Sequence, residues 1–310
     1  MEKVPCALSI VLPVFNEQGN LPELYRRLGK VLREEFKLDN YEIIFVDDAS
    51  RDGSWPLIEG FHQKDSKVKG IKFSRNFGHH IALSAGINMA QGDAVVMMDA
   101  DLQDQPEEIP KLYRKFLEGY DVIYARHRQR QHSFFKNVTS RIFYKIMNSI
   151  SEMEITPNIF RIMSRRVVDV FNQFKERDRL ITGLISYAGF KETSVEVEHG
   201  KRFAGQTKYS LRKLVRLGLN SITAFSMRPL QLASWFGFFL SFVAFLAIVV
   251  MVVMKIFFGY GMIGWPSIMV TIVFIGGIQM IFLGLLGEYI GRIYSEVKQR
   301  PLYIVERELK

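Results

Sequence analysis

Asp93-Ala94-Val95-Val96-Met97-Met98-Asp99-Ala100-Asp101-Leu102-Gln103-Asp104 is the stretch whose reading decides the fold. An apolar run ends in acid, as a β-strand does when it carries polar side chains to the rim of a sheet. Read as extended chain, residues 99, 101 and 103 alternate, so their side chains point the same way. Asp99, Asp101 and Gln103 are thus candidate ligands for Mg²⁺ or Mn²⁺. Such cations prefer oxygen donors and commonly use one or two carboxylates plus phosphate oxygens. A solvated acidic turn is the competing reading of an isolated D-x-D. The strand before it, and two further acidic strand ends, favour the metal.

Working outward, residues 7–127 alternate strand-like runs with helical periodicity, the βαβ pattern of a parallel sheet. Strands are expected at Leu8–Val14, Glu42–Asp47, Val68–Phe73, Ala94–Met98 and Asp121–Ala125. Asn20 with Glu23 predicts a helix start with a capping interaction, and helices are also expected at 79–90 and 107–118. Ligands of open parallel sheets sit beyond the carboxyl ends of the strands. Val11–Glu17, Val46–Ser50 and the 99–104 segment should therefore converge on one cleft.

Further along, residues 131–150 and 210–224 form basic amphipathic patterns suited to a membrane interface. Residues 164–189 read as helical and Ser194–Glu198 as an edge strand, followed by a basic, glycine-containing loop, Lys201–Tyr209. The stretches 232–258 and 264–286 each reach the ~20 apolar residues that cross a bilayer. Basic residues cluster before them and after them (Arg292, Lys298, Arg300), which predicts both ends in the cytoplasm. The expected division is a catalytic domain at 1–209, an amphipathic juxtamembrane segment at 210–231, a transmembrane hairpin at 232–288 and a cytoplasmic tail at 289–310.

Composition narrows the classes. At 48% apolar and 24% charged residues, the chain is too apolar for disorder and too charged for a polytopic membrane protein. A single cysteine, Cys6, excludes an internal disulfide, and Met1–Pro5 leads into a strand with no signal peptide. The net charge of +9 suits an anionic membrane surface; no recognised nucleic-acid module accompanies it. Neither G-x-G-x-x-G nor a P-loop follows the first strand, so phosphate handling falls to metal and cations: Lys208, Arg202, Arg126 and Arg75. His79-His80 is a poor metal pair, because adjacent helical residues point apart.

Taken in order, L-S-I-V-L-P-V-F-N-E at 8–17, V-D-D-A-S-R-D-G-S at 46–54, R-N-F-G-H-H-I-A-L-S-A-G at 75–86 and M-D-A-D-L-Q-D at 98–104 resemble a family-2 glycosyltransferase with a GT-A core. R-F-A-G-Q-T-K-Y at 202–209 and G-L-L-G-E-Y-I-G-R-I-Y at 284–294 extend the resemblance to polyprenyl-phosphate glycosyltransferases, the dolichol-phosphate-mannose-synthase-like branch with two C-terminal transmembrane helices. The resemblance implies an α/β, Rossmann-like, mostly parallel sheet. It implies that Pro13, Phe15, Glu17 and Asp48 hold the nucleotide, with Asp47 close by. Asp99 would contact sugar or metal, Asp101 and Gln103 the metal, and Arg126, Arg202 and Lys208 the phosphates. Thr207 stands where the family usually has Ser and keeps the hydroxyl. At Thr156–Arg161 no carboxylate precedes Phe160-Arg161, where many relatives have an Asp.

The reaction implied is inverting transfer of one sugar, first glucose from UDP-glucose, to undecaprenyl or another polyprenyl phosphate. UDP-4-formamido-arabinose, UDP-GlcNAc and GDP-mannose are alternative donors. The resemblance also implies a homo-oligomer, often a tetramer, in the bacterial inner membrane. A processive polysaccharide synthase would carry Q-x-x-R-W, and none of Trp55, Trp235 and Trp265 stands in that context. A non-catalytic membrane scaffold with a decayed transferase fold is opposed by the intact D-A-D-L-Q and basic-loop motifs.

Overall fold

A computed structural model describes residues 8–36, 40–127, 158–177, 179, 181–198, 228–258 and 264–310. The expectations for Arg202, Thr207, Lys208 and the basic segments 131–150 and 210–224 lie outside these residues.

Strand β1 (Leu8–Val14) is buried at every position, as its almost unbroken apolar sequence dictates for a strand covered on both faces. The chain then alternates: α1 (Leu21–Lys30), β2 (Tyr41–Asp47), α2 (Ser54–Lys64), β3 (Val68–Phe73), α3 (His79–Met89), β4 (Ala94–Met97), α4 (Ile109–Leu117) and β5 (Val122–His127). It continues through β6 (Arg161–Ser164), α5 (Arg165–Gln173), α6 (Ile181–Tyr187), β7 (Glu192–Val197), two long helices α7 (Arg228–Phe258) and α8 (Trp265–Val297), and β8 (Val305–Leu309). The strands make one eight-stranded sheet in the order β7-β5-β6-β4-β1-β2-β3-β8. β1 pairs in parallel with β2 and β4, β2 with β3, and β5 with β7, whereas β6 and β8 run antiparallel to their neighbours.

Alternation along the strands sorts the core. Ile10, Leu12, Ile43, Phe45 and Val96 face a cluster with Leu24 and Leu28 of α1, Ile58 and Phe61 of α2, and Leu112 of α4. On the other face α3 lies so close to β1 that a Cβ on Gly86 would come within 2.3 Å of Val11 Cγ1. A side chain there has no room, which is why glycine occupies the middle of a helix that it would otherwise weaken.

Two expectations are corrected. Asn20 does not cap α1: its backbone is already helical (φ −97°, ψ −31°), so its side chain donates back to Glu17 Oε2 at 2.5 Å. The 164–189 segment is two helices, because the chain turns extended at Phe174 and the Arg179 guanidinium binds the Phe174 and Glu176 carbonyls. Ahead of them lies β6, a four-residue strand inserted antiparallel between β4 and β5, too short to show periodicity.

The described residues fall into two units, the sheet with residues 300–310 and the pair of long helices. β8 is the unanticipated piece: after α8 the chain re-enters the sheet domain and adds an edge strand to β3. In the second unit one described stretch, Phe274–Val297, is long and apolar enough to cross a membrane (mean hydropathy 1.5), and Ala233–Ala247 is a shorter apolar stretch. Large apolar side chains point outward around both helices, Phe238, Phe245 and Phe257 among them on α7 and Ile281 and Ile290 on α8.

Candidate active site

Six of the eight strands run the same way, so the loops after β1, β2, β3 and β4 open at one edge of the sheet. The two antiparallel strands start at that edge, which adds Asn158–Phe160 before β6 and Tyr303-Ile304 before β8.

The loops after β1 and β2 are laced together by polar groups. Asn16 N–H donates to Ser50 Oγ (2.9 Å), Glu17 N–H to Ser54 Oγ (3.0 Å) and Gln18 N–H to Asp52 Oδ2 (3.1 Å). In return Arg51 N–H donates to Asn16 Oδ1 and Gly53 N–H to Gln18 Oε1, at 2.8 and 2.9 Å. Asn16 and Ala49 both sit at φ 57°, a left-handed conformation that these bonds hold in place. Pro13 is buried inside β1 opposite Val46, while Phe15 projects at the rim, 46% exposed.

Asp47 and Asp48 follow each other at the end of β2 and are both buried. Asp47 accepts Ser50 N–H at 3.1 Å. Asp48 accepts two backbone N–H groups, Phe77 at 2.6 Å and Gly78 at 2.9 Å, and so fastens the turn that begins α3. Desolvation raises the pKa of each above the usual carboxylate value, and these hydrogen bonds offset only part of the rise.

The acidic segment is not extended as the alternation predicts. β4 stops at Met97, the chain turns, and Leu102 takes a left-handed φ of 63°. Such a conformation costs ~1–3 kcal/mol in a non-glycine residue. Burying the Leu102 side chain in the core contributes ~1.5–3 kcal/mol, enough to offset it. The turn is closed by Gln103 N–H donating to Asp101 Oδ1 at 3.1 Å. Asp101 and Asp104 are buried, whereas Asp99 is 37% exposed with Oδ1 3.3 Å from His79 Nε2. Burial, with the charges of Asp99 and Asp101 beside it, pushes the Asp104 carboxyl up to about 7.

This donor set fits a hard cation in part. Among the described residues no three His, Cys, Asp or Glu side chains gather closely enough to hold a metal unaided. Asp99 and Asp101 would hold it together with oxygens from a bound diphosphate, the coordination Mg²⁺ ordinarily takes. His80 is no ligand partner for His79: the rings meet edge to face, centroids 5.8 Å apart, and burial followed by His79's charge pushes His80 down to about 4.

Arg126, near the end of β5, is exposed and 3.7 Å from Glu196. Where the sequence lacks a carboxylate, the structure has a cation: Arg161 is buried, bonded to the Asn158 carbonyl, and lowered to about 10 by desolvation. Asn158 Nδ2 in turn donates to the Ala125 carbonyl. Sequence reading passed over Arg161, although an arginine within an apolar run was its visible signal.

A mostly parallel sheet with acidic loops at one edge, and a D-x-D turn after its fourth strand, defines a GT-A glycosyltransferase. The chain belongs to glycosyl transferase family 2, whose model matches residues 9–174. It is 43% identical over 302 residues to the uncharacterized glycosyltransferase YkcC of Bacillus subtilis, covering 96% of this chain and 93% of that one. It is 41% identical to the prophage bactoprenol glucosyl transferase homolog of Escherichia coli (98% and 99% covered). Identity to the bactoprenol glucosyl transferase of Shigella phage SfII is 40%, with 97% of each covered. Among solved structures, the mannosyltransferase PcManGT from Pyrobaculum calidifontis, in complex with GDP-Man and Mn²⁺, shares the fold with a TM-score of 0.51 at 16% identity; the match covers 72% of this chain and 64% of that one.

Proposed function

We propose that the protein transfers one sugar from a nucleotide diphosphate to undecaprenyl phosphate, or another polyprenyl phosphate, at the cytoplasmic face of the bacterial inner membrane. The observation that carries this reading is collinearity. Relatives named bactoprenol glucosyl transferase match 97–98% of the chain, a span that takes in both the acidic loops and the apolar helices. Helices apolar all round suit a bilayer better than water, and α7 and α8 turn large apolar side chains outward. In this reading 1–209 is the catalytic domain, 210–231 lies at the interface, 232–288 crosses the membrane and 289–310 returns to the cytoplasm, where β8 joins the sheet.

The nucleotide lies along the laced loops, with Phe15 as the face for its base and Glu17, Asp47 and Asp48 around the ribose. Asp99, Asp101 and Gln103 would hold Mg²⁺ or Mn²⁺ together with the diphosphate, and the cation would neutralise charge on the leaving group. Arg126, Arg202 and Lys208, with Thr207, receive phosphates. The acceptor phosphate oxygen forms a bond to the anomeric carbon on the side opposite the departing diphosphate, whose bond to that carbon breaks, so configuration inverts. A phosphate monoester with second pKa about 6 is already deprotonated at neutral pH and needs no strong base. A carboxylate before Phe160 is dispensable for that reason, and catalysis rests on positioning and charge stabilisation.

Glucose from UDP-glucose is the first donor to test, because the relatives named for their sugar are glucosyl transferases. The full chain in detergent, given undecaprenyl phosphate, Mn²⁺ and UDP-glucose, UDP-4-formamido-arabinose, UDP-GlcNAc or GDP-mannose in turn, should yield one lipid-linked monosaccharide by mass spectrometry. No product from any sugar nucleotide overturns the reading.

A further inference from the structure

β8 meets β3 with a break in register. Lys72 stands opposite Arg307, but Phe73 stands opposite Val305, so Glu306 is an extra residue on β8. A bulge of this kind bends a strand and re-aims its side chains. The segment leading into β8 is tied at two points: Arg177 donates to the Arg300 carbonyl, and Ser74 N–H donates to the Ile304 carbonyl at 3.0 Å. Between these ties Tyr303 stacks on Phe73, with the rings 21° from parallel and their centroids 5.0 Å apart. Phe73, the last residue of β3, is fully buried and meets Phe77 edge to face at 5.6 Å. The Arg75 guanidinium lies over the Phe77 ring, 4.1 Å from its centroid. A ladder of four side chains thus runs from the segment before β8 into the loop after β3. It ends on an exposed cation at the edge where the acidic loops open.

We propose that Tyr303 is a positioning residue for the donor nucleotide: through Phe73 and Phe77 it sets the place from which Arg75 meets the diphosphate. The inference rests on the transferase reading above and adds to it a residue far along the chain from the loop it serves. Two restraints act on that loop. The Asp48 carboxylate holds its backbone at Phe77 and Gly78, and the ladder holds its side chains. Losing the ladder leaves the turn folded but opens other rotamers to Phe77 and Arg75. Nucleotide contacts are made before and during transfer alike, so the loss falls on the donor KM rather than on kcat.

Three substitutions in the full-length protein separate positioning from packing. Tyr303→Ala removes ring and bulk, Tyr303→Leu keeps apolar bulk without a plane to stack, and Tyr303→Phe keeps the ring. Below the unfolding temperature of all three, Ala and Leu should raise the KM for UDP-glucose by about 2- to 10-fold, the scale of one aromatic pair. Their kcat should stay within about twofold of wild type, and Phe should match wild type in both. A wild-type KM in Tyr303→Leu, or an effect confined to kcat, overturns the proposal. A cryo-EM structure of full-length Tyr303→Leu in detergent, without substrate, is the second readout, with Arg75 expected to leave the Phe77 ring. Arg75 still stacked there overturns the positioning role whether or not transfer is seen. Absence of transfer by the wild type overturns only the functional reading.

Discussion

The Asp48 carboxylate accepts the Gly78 backbone N–H at 2.9 Å, joining the end of β2 to the start of α3. Gly78 sits at φ 103°, where a side chain would be strained, so the turn combines a residue able to adopt that angle with an acid able to hold it. Asp48→Ala leaves two N–H groups without their acceptor and should destabilise the domain by ~2–3 kcal/mol, read as a lower Tm. Asp48→Asn keeps one acceptor atom and should cost about half as much. Equal stability of all three proteins would show that the turn stands without the acid.

At the other end of the strands Glu42 is buried and accepts Ser9 Oγ at 2.5 Å and Gln91 N–H at 2.6 Å, with Lys69 Nζ at 2.6 Å. Desolvation pushes its pKa up, but Lys69, Ser9 and the Gln91 N–H together outweigh it and the net shift is downward. A depressed carboxylate stabilises the fold above its unfolded pKa of about 4.3, and that stability is lost as pH falls through the folded value. Glu42→Gln should flatten this acid limb in unfolding curves measured from pH 6 downward. Lys69→Met, which strands the buried charge, should cost ~2–3 kcal/mol at neutral pH.

Gly86 is where α3 meets the sheet. A methyl group there falls 2.3 Å from Val11 Cγ1 and 3.2 Å from Val46 Cγ2, both anchored on buried strands. Gly86→Ala should therefore lower stability by ~1–3 kcal/mol despite alanine's higher helix propensity. A rise in Tm would mean that α3 can lift from β1 at little cost.

In the proposed reaction Asp101 acts through the metal. Asp101→Ala should reduce transfer at least ~100-fold, the scale for removing one preorganised electrostatic contact, and weaken Mn²⁺-dependent nucleotide binding. Transfer close to wild type would remove Asp101 from the metal site.

Tyr303, on the way into β8, stacks on Phe73 with ring centroids 5.0 Å apart, and Ser74 N–H donates to the Ile304 carbonyl at 3.0 Å. Tyr303→Ala should cost ~0.5–1.5 kcal/mol beyond the lost apolar area. A chain ending at Gln299 would bare the edge of β3 and should aggregate in detergent, measurable by size-exclusion chromatography.

Much of this protein was legible in its sequence because the relevant physics is local. β1 and β3 span the residues the sequence predicts, and the other central strands differ by one or two; β1 and β4, buried at every position, are apolar almost throughout, whereas β3 alternates and leaves Lys69 and Lys72 partly exposed. The parallel connections then oblige the acidic loops after β1, β2 and β4 to meet at one edge. What sequence could not supply depends on partners far along the chain. Leu102 turns left-handed because the core takes its side chain; β6 exists because β4 and β5 leave a slot for an antiparallel strand; β8 exists because β3 offers an open edge more than 200 residues upstream. The sequence by itself determined the carboxylates and the sheet that carries them. Only the tertiary structure decided which of those carboxylates holds backbone, as Asp48 does, and which faces a histidine, as Asp99 does. The reason is that a carboxylate's use depends on the donors that folding brings within about 3 Å of it.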